Sequence, residues 1–221
     1  MSNDLKFKIS HKVTEDNSSN FTIKPLDRGY GITIGNSLRR ALLTAVPGAA
    51  ITNVKIEGAH HEFSTIDGVT EDVADIIMNL KGVRFHLFES KVEPIFLKVK
   101  GPNAFTAADI QAVSDDFTIL NPDHHITDIA KGTTLEVELR LGIGKGYKSS
   151  EENKLNNSPV GMIPIDSIFN PVTKVSFNVS PLPGAKEDTE MLSLNVTTDG
   201  SITPIDASVV TFNESISVSS F

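Results

Sequence analysis

Cysteine and tryptophan are missing from this 221-residue chain, and aromatic residues of any kind make up only 6% of it. Without cysteine there are no disulfides, no thiolate metal sites and no cysteine nucleophile, and such a chain suits a reducing compartment. Without tryptophan there is no site built on stacked indoles. No apolar run reaches membrane-span length, and the N-terminal MSNDLKFKISHK lacks an apolar core of signal-peptide length. These absences point to the cytoplasm and away from a membrane. The Asn-x-Ser/Thr triplets, such as Asn20-Phe21-Thr22 and Asn195-Val196-Thr197, then read as chance. Basic charge is short as well. The formal net charge is -8, and beyond Arg39–Arg40 the basic residues do not cluster. A phosphate backbone needs a dominant basic surface, so no direct nucleic-acid contact is expected.

What remains is an ordinary globular composition, 39% hydrophobic and 22% charged, in a chain long enough for one large or two small domains. The most informative stretch is KPLDRGYGITIGNSLRRALL, from Lys24 to Leu43. Gly29, Gly31 and Gly35 punctuate it. The spacing Gly-x-Gly-x-x-x-Gly departs from the dinucleotide fingerprint, and no Gly-Lys-Ser/Thr follows. The glycines therefore read as turns and close backbone packing. Ile32 and Ile34 alternate with Thr33 as a short strand, and Asn36 or Ser37 then caps a helix. Leu38, Leu42 and Val46 share one face of that helix with Leu43 alongside, and Arg39 and Arg40 project from its flank.

Along the rest of the chain, residues 1–20 are polar and read as loosely ordered, and Pro47-Gly48 as a turn. AAITNVKIEG is a strand. Val69, Val73, Ile76, Ile77 and Leu80 recur at helical spacing, with Glu71 and Asp72 in the first turn and Lys81-Gly82 at the end. VRFHLF, IFLKVK, FTIL, TLEVELRL, MIPIDSIF, KVSFNV and LSLNVTT alternate as strands. Lys145–Pro159 is a polar, mobile loop, and Gly142-x-Gly144 marks a bulged strand end. Thr203-Pro204-Ile205-Asp206 starts a last helix, with Ile205, Val209, Phe212 and Ile216 at packing spacing and the course after Asn213 left open. Short strands with few helices and no βαβ repetition give an α+β class.

Catalytic signals are sparse. His60, His61 and Glu62, with His124 and His125, offer metal-ligating chemistry, and a His-based metal-dependent enzyme is the alternative from a different class. The helical His-Glu-x-x-His spacing is absent, however, and neighbours on a strand point to opposite faces. No serine sits in a nucleophile elbow. The expectation is a chain with no catalytic residues, no metal and no cofactor of its own.

The ordered blocks resemble a known family. PLDRGYGITIGNSLRRALL, AITNVKIEGAHHEFSTIDGVTEDVADIIMNLKGVRF, LNPDHHI, GKGY, IPIDSIFNPVTKVSFNV and LSLNVTTDGSITPIDA are similar to the N-terminal domain of the bacterial RNA polymerase alpha subunit, from about Phe21 to Ala207. The resemblance implies a discontinuous dimerisation subdomain, 1–48 with 173–221, holding an inserted β-rich subdomain at 49–172. It implies a non-catalytic scaffold of DNA-directed RNA polymerase that dimerises and docks the beta and beta-prime subunits. Carried over, the dimer seam falls on Leu38, Leu42, Leu43, Phe212 and Ile216. Large-subunit docking falls on Arg39, Arg40, His61, Glu62, Phe63, Ser64, Asp67, Gly68 and Lys81, with Lys186 at the altered beta-prime segment PLPGAKEDTEML. The unusual tail leaves a second version open, an alpha-like subunit pairing with a different alpha. The chain stops at Phe221, so the family's C-terminal DNA-binding domain is expected to be absent.

Overall fold

A computed structural model describes residues 7–59, 61–88, 93–155, 159–185 and 188–218, with side chains of the last helix described as far as Phe212. In chain order the elements begin β1 (Lys8–Glu15), β2 (Ser18–Asp27), α1 (Tyr30–Thr44), β3 (Pro47–Ile56) and α2 (Val73–Lys81). There follow β4 (Phe85–Leu87), β5 (Ile95–Lys100), β6 (Asn103–Thr106), α3 (Ala107–Gln111), β7 (Phe117–Ile119), β8 (His125–Ile129) and β9 (Thr134–Lys145). The chain ends β10 (Tyr147–Lys148), β11 (Ile163–Pro164), β12 (Ser167–Ile168), β13 (Val172–Pro181), β14 (Thr189–Thr198) and α4 (Pro204–Val218). The class is α+β. No described helix is long and apolar enough to cross a membrane. Two compact units result, one of Met1–Val46 with Asn170–Phe221, the other of Pro47–Phe169.

The first unit is a four-stranded antiparallel sheet in the order β1-β2-β14-β13, with α1 and α4 over one face. Its core joins Phe21, Ile23, Leu38, Leu42, Val46, Leu192, Leu194 and Val196. Two sequence expectations fail here. Residues 8–20 are not loose: they form β1 and the start of β2, paired from Lys8↔Lys24 to Glu15↔Ser18. Every residue of β1 is exposed, so no buried alternation marks the strand, and only its ladder to β2 defines it. Nor are Ile32–Ile34 extended. The helix begins at Tyr30, with Gly29 in the left-handed region (φ 87°) at the cap, and Asn36 and Ser37 lie inside it.

The reason is packing. Gly31, Gly35, Leu38 and Leu42 form the buried stripe of α1, a helical period in which two members are glycines. A Cβ on Gly31 would sit 2.6 Å from Val179 Cγ1, and one on Gly35 2.6 Å from the Phe177 ring. The glycines therefore serve close approach of helix to sheet. At the other end, Thr203 Oγ1 accepts from the Asp206 N–H at 3.1 Å and caps α4, which remains helical to Val218. Ser208 and Thr211 are mediocre helix formers, but their hydroxyls donate to the Pro204 and Ala207 carbonyls at 2.8 and 2.9 Å. Their burial costs no lost hydrogen bond.

The second unit has a sheet in the order β11-β3-β9-β5, with the small pairs β4-β7, β6-β8 and β10-β12. Ile56, Ile76, Leu80, Phe105, Phe117, Ile126, Leu135 and Leu139 belong to its core. β3 starts at Pro47 itself, not after a turn. α2 is shorter than its periodicity suggests: Asp72 Oδ1 accepts from the Asp75 N–H at 2.8 Å and sets the N-terminus there. Val69 instead bridges Ile129. β9 runs straight through Gly142 and Gly144, which lie against Thr52 and the Phe169 ring. The register shift falls on β3, between Ile51 and Asn53. The described part of the polar stretch after Lys145, up to residue 155, is anchored at Asn153. Asn153 is buried, and its amide donates to the Ile165 carbonyl (2.7 Å) and Ser167 Oγ (2.9 Å).

Candidate functional site

In the first unit, α1 separates its two faces cleanly. Leu38 and Leu42 are buried in the unit's own core, and Leu43 and Phe212 pack half-buried against it. Ile216 lies on α4, but its side chain is outside the described residues. Arg39 and Arg40 are exposed and carry no ion pair among the described residues. Nearby in the sequence, Arg28 reaches the loop before β14. Its N–H donates to the Asp188 carbonyl at 3.1 Å, and its guanidinium lies 3.5 Å from the Asp188 carboxylate. Lys186 falls outside the described residues.

In the second unit, the predicted residues from His61 to Gly68 form one turn-rich segment leading into α2. The Ser64 N–H donates to the His61 carbonyl at 3.1 Å, and Ser64 Oγ lies 3.3 Å from both His61 N and His61 Nδ1, closing a turn. The Ser64 carbonyl then accepts from the Val73 N–H at 3.1 Å, tying the turn to the start of α2. Asp67 is exposed. Gly68 has φ 78°, its carbonyl accepts from the Ala130 N–H at 2.8 Å, and an added Cβ would lie 2.0 Å from Thr133 Oγ1. Both backbone and space demand glycine.

Glu62, Phe63 and Lys81 converge on a groove of about 190 Å³ along α2, where Ile77, Met78 and Asp166 also line the wall. Phe63 and Met78 are 78% and 66% exposed. The two thus place open apolar surface beside Glu62 and Lys81 on one groove. Lys81 pairs with Asp166. The hydrogen bond from the Lys81 ammonium holds the Asp166 carboxyl below its usual value, against a smaller opposing effect of burial. Asp166 and Met78 were missed by sequence reading. Met78 sits at helical spacing from Lys81, but Asp166 is remote in sequence and only the fold brings it in.

Among the described residues the histidines do not gather as the enzyme alternative requires. His60 is outside the described residues, and His61 belongs to its turn. His124 lies before β8 with Nε2 2.8 Å from the Asn79 carbonyl. His125 meets carboxylates instead, Glu71 Oε1 at 4.0 Å from Nδ1 and Asp128 Oδ2 at 3.5 Å from Nε2. Glu71 is held by the Thr127 hydroxyl (2.6 Å) and the Asp128 N–H (3.0 Å). Partial burial raises its proton affinity, but these hydrogen bonds outweigh that and leave it titrating below an ordinary glutamate.

The family model of the RNA polymerase Rpb3/RpoA insert domain matches residues 54–170. The DNA-directed RNA polymerase subunit alpha of Salinibacter ruber is 51% identical over 193 residues, 87% of this chain and 59% of that protein. The subunit alpha of Chloroherpeton thalassium is 48% identical, covering 85% of this chain and 57% of that protein. That of Limosilactobacillus reuteri is 48% identical, covering 89% and 64%. The chain spans about three fifths of the length of the curated relatives it matches. With more than half of its residues matched by the insert-domain model, the chain belongs to the RNA polymerase Rpb3/RpoA insert-domain family and is a relative of bacterial alpha subunits.

Proposed function

We propose that this chain is a non-catalytic assembly subunit of DNA-dependent RNA polymerase. It pairs with another alpha chain through the unit carrying α1 and α4. It docks the beta and beta-prime subunits through Arg39 and Arg40 and through the surface of His61, Glu62, Phe63, Ser64, Asp67, Gly68 and Lys81. The chemistry of polymerisation belongs to those larger subunits.

The observation that carries this reading is the state of Arg39 and Arg40. They stand exposed and without an ion pair among the described residues, on a helix whose opposite face is spent on its own core. A guanidinium on a rigid helix can grip a partner carboxylate with two parallel hydrogen bonds. Pairing with a second copy draws support from β1. In the antiparallel ladder Ile9 faces Ile23 and His11 faces Phe21, so these residues share one side of the sheet. Ile23 and Phe21 are buried, whereas Ile9 and Val13 stay 44% and 57% exposed. The core face of the sheet is thus uncovered at its edge strand.

The test is Arg40→Ala in the full chain. Folding is expected to be unchanged while capture of the beta subunit weakens by about 2 kcal/mol or more, as for a buried interfacial charge pair. Undiminished co-purification with that subunit would remove the docking role. Light scattering of the purified chain tests the pairing, and a strict monomer at high concentration counts against it.

A further inference from the structure

β8 carries a defect that collects three ligand-type side chains. Opposite it on β6, Phe105 pairs with Thr127 but Thr106 pairs with His125, so Ile126 is an extra residue in the ladder. Ile126 and Thr127 are both buried, and the alternation restarts with His125 and Asp128 both exposed. Residues three apart on a regular strand point to opposite faces. The bulge instead puts His125 and Asp128 on the same, solvent side. Glu71, in the segment just before α2, completes the group. One donor atom from each of the three lies within 4.8 Å of the other two.

The group is built rather than casual. Glu71 uses Oε2 for the buried Thr127 hydroxyl and the Asp128 N–H, which leaves Oε1 turned toward His125. This is the arrangement of an oriented ligand, with its far oxygen fixed by outer hydrogen bonds. No lysine or arginine pairs with Glu71 or Asp128 among the described residues. Two carboxylates therefore share one imidazole, with no fixed cation to balance them.

We propose that Glu71, His125 and Asp128 bind a borderline divalent cation, Zn²⁺ being the best match. One nitrogen and two oxygens suit zinc, whereas calcium and magnesium favour all-oxygen shells. Zinc ligand bonds of about 2.0–2.2 Å need donors roughly 3–4 Å apart. Glu71 Oε1 faces His125 Nδ1 and Asp128 Oδ2 faces Nε2, so closure on one ring nitrogen takes rotation of the partly exposed His125 and Asp128 side chains, and water completes the shell. The ion would link β8 to the segment that carries His61–Gly68 into α2, stiffening it.

Calorimetric titration of ZnCl₂ into the full chain at pH 7.5 tests this. One site of micromolar affinity is expected, weakened tenfold or more by His125→Ala and by Asp128→Asn. Thr127→Val, which frees Glu71, is expected to weaken binding several-fold. MgCl₂ should give no comparable heat. Circular dichroism of each variant separates lost ligation from lost folding. No stoichiometric heat, or binding untouched by a folded His125→Ala, would overturn the site. Equal binding of Mg²⁺ would do the same.

Discussion

In the unit of β1, β2, β14 and β13, two helices cover one face of the sheet, and exposed apolar residues on β1 show that the cover stops short. The unit of Pro47–Phe169 instead encloses its core among a four-stranded sheet, small strand pairs and two short helices. Their buried polar groups differ in the same sense. In the second unit, Asn53 donates to the Asn153 carbonyl at 3.0 Å, Asn153 to Ser167 Oγ, and Ser167 to the Ile51 carbonyl at 2.6 Å. Side-chain networks of this kind tie a loop to the strands beneath it. The first unit relies on backbone contact through Gly31 and Gly35, and its buried Ser208 and Thr211 bond only within their own helix. One unit encloses its core, and in the other the core face of the sheet runs uncovered to its edge strand.

The largest effects should come from emptying each core. Phe105→Ala is expected to cost about 3–5 kcal/mol and Leu42→Ala about 2–5 kcal/mol, since both side chains are fully buried. Calorimetry over a range of protein concentrations distinguishes the units. On the proposed pairing, the melting temperature of Leu42→Ala should recover as concentration rises, and that of Phe105→Ala should not. Identical concentration dependence in both variants would break the comparison.

Middle-sized effects probe the two packing devices. Gly35→Ala should cost about 1–3 kcal/mol by overpacking Phe177, and adding Phe177→Leu should return part of it. If the double variant is no more stable than the single, close approach is not why glycine is needed. Asn153→Ala, in the other unit, should cost about 1–3 kcal/mol through buried groups left unpaired. A loss below a few tenths would mean the network does not hold its loop.

The smallest effect is electrostatic. The Asp166 carboxyl is held below its ordinary 3.8 in the folded state by Lys81. Its contribution is therefore fully present above about pH 4 and fades as pH drops through the lower folded value. With the Asp166 side chain 38% exposed, screening limits the pair to about 0.5 kcal/mol. Lys81→Met should flatten the stability profile below pH 4 and lower stability slightly at pH 7. An unchanged acid limb would show that the pair is not felt in solution.

Much of this was legible from local pattern. The pairing of Leu38 with Leu42 on one helix face, the Thr203 cap, and most strands follow from period and turn chemistry and are seen. However, α1 ends at Thr44, and Val46 is buried beyond the helix rather than on its face. The misses share a cause. Ile32–Thr33–Ile34 mimics a strand because Gly31 and Gly35 carry no hydrophobicity, although with Leu38 and Leu42 they complete a helical stripe. β1 has no buried residue to announce it. The five-residue α3 is set by the Thr106 N–H donating to Asp109 Oδ2 at 2.8 Å, too short a run for periodicity to register. His125 and Glu71 meet only because a one-residue bulge turns a side chain around, and no spacing rule reports a bulge.

The glycines of α1 have an effect beyond their own positions. Any side chain at Gly31 or Gly35 would lever the helix away from Val179 and Phe177. Arg39 and Arg40, between one and two and a half turns further along, would rise with it. A vacancy of atoms on the buried side thus calibrates the height of two charges on the outer side. A substitution hidden from every partner would then read, in a capture assay, as the loss of an arginine that is still there.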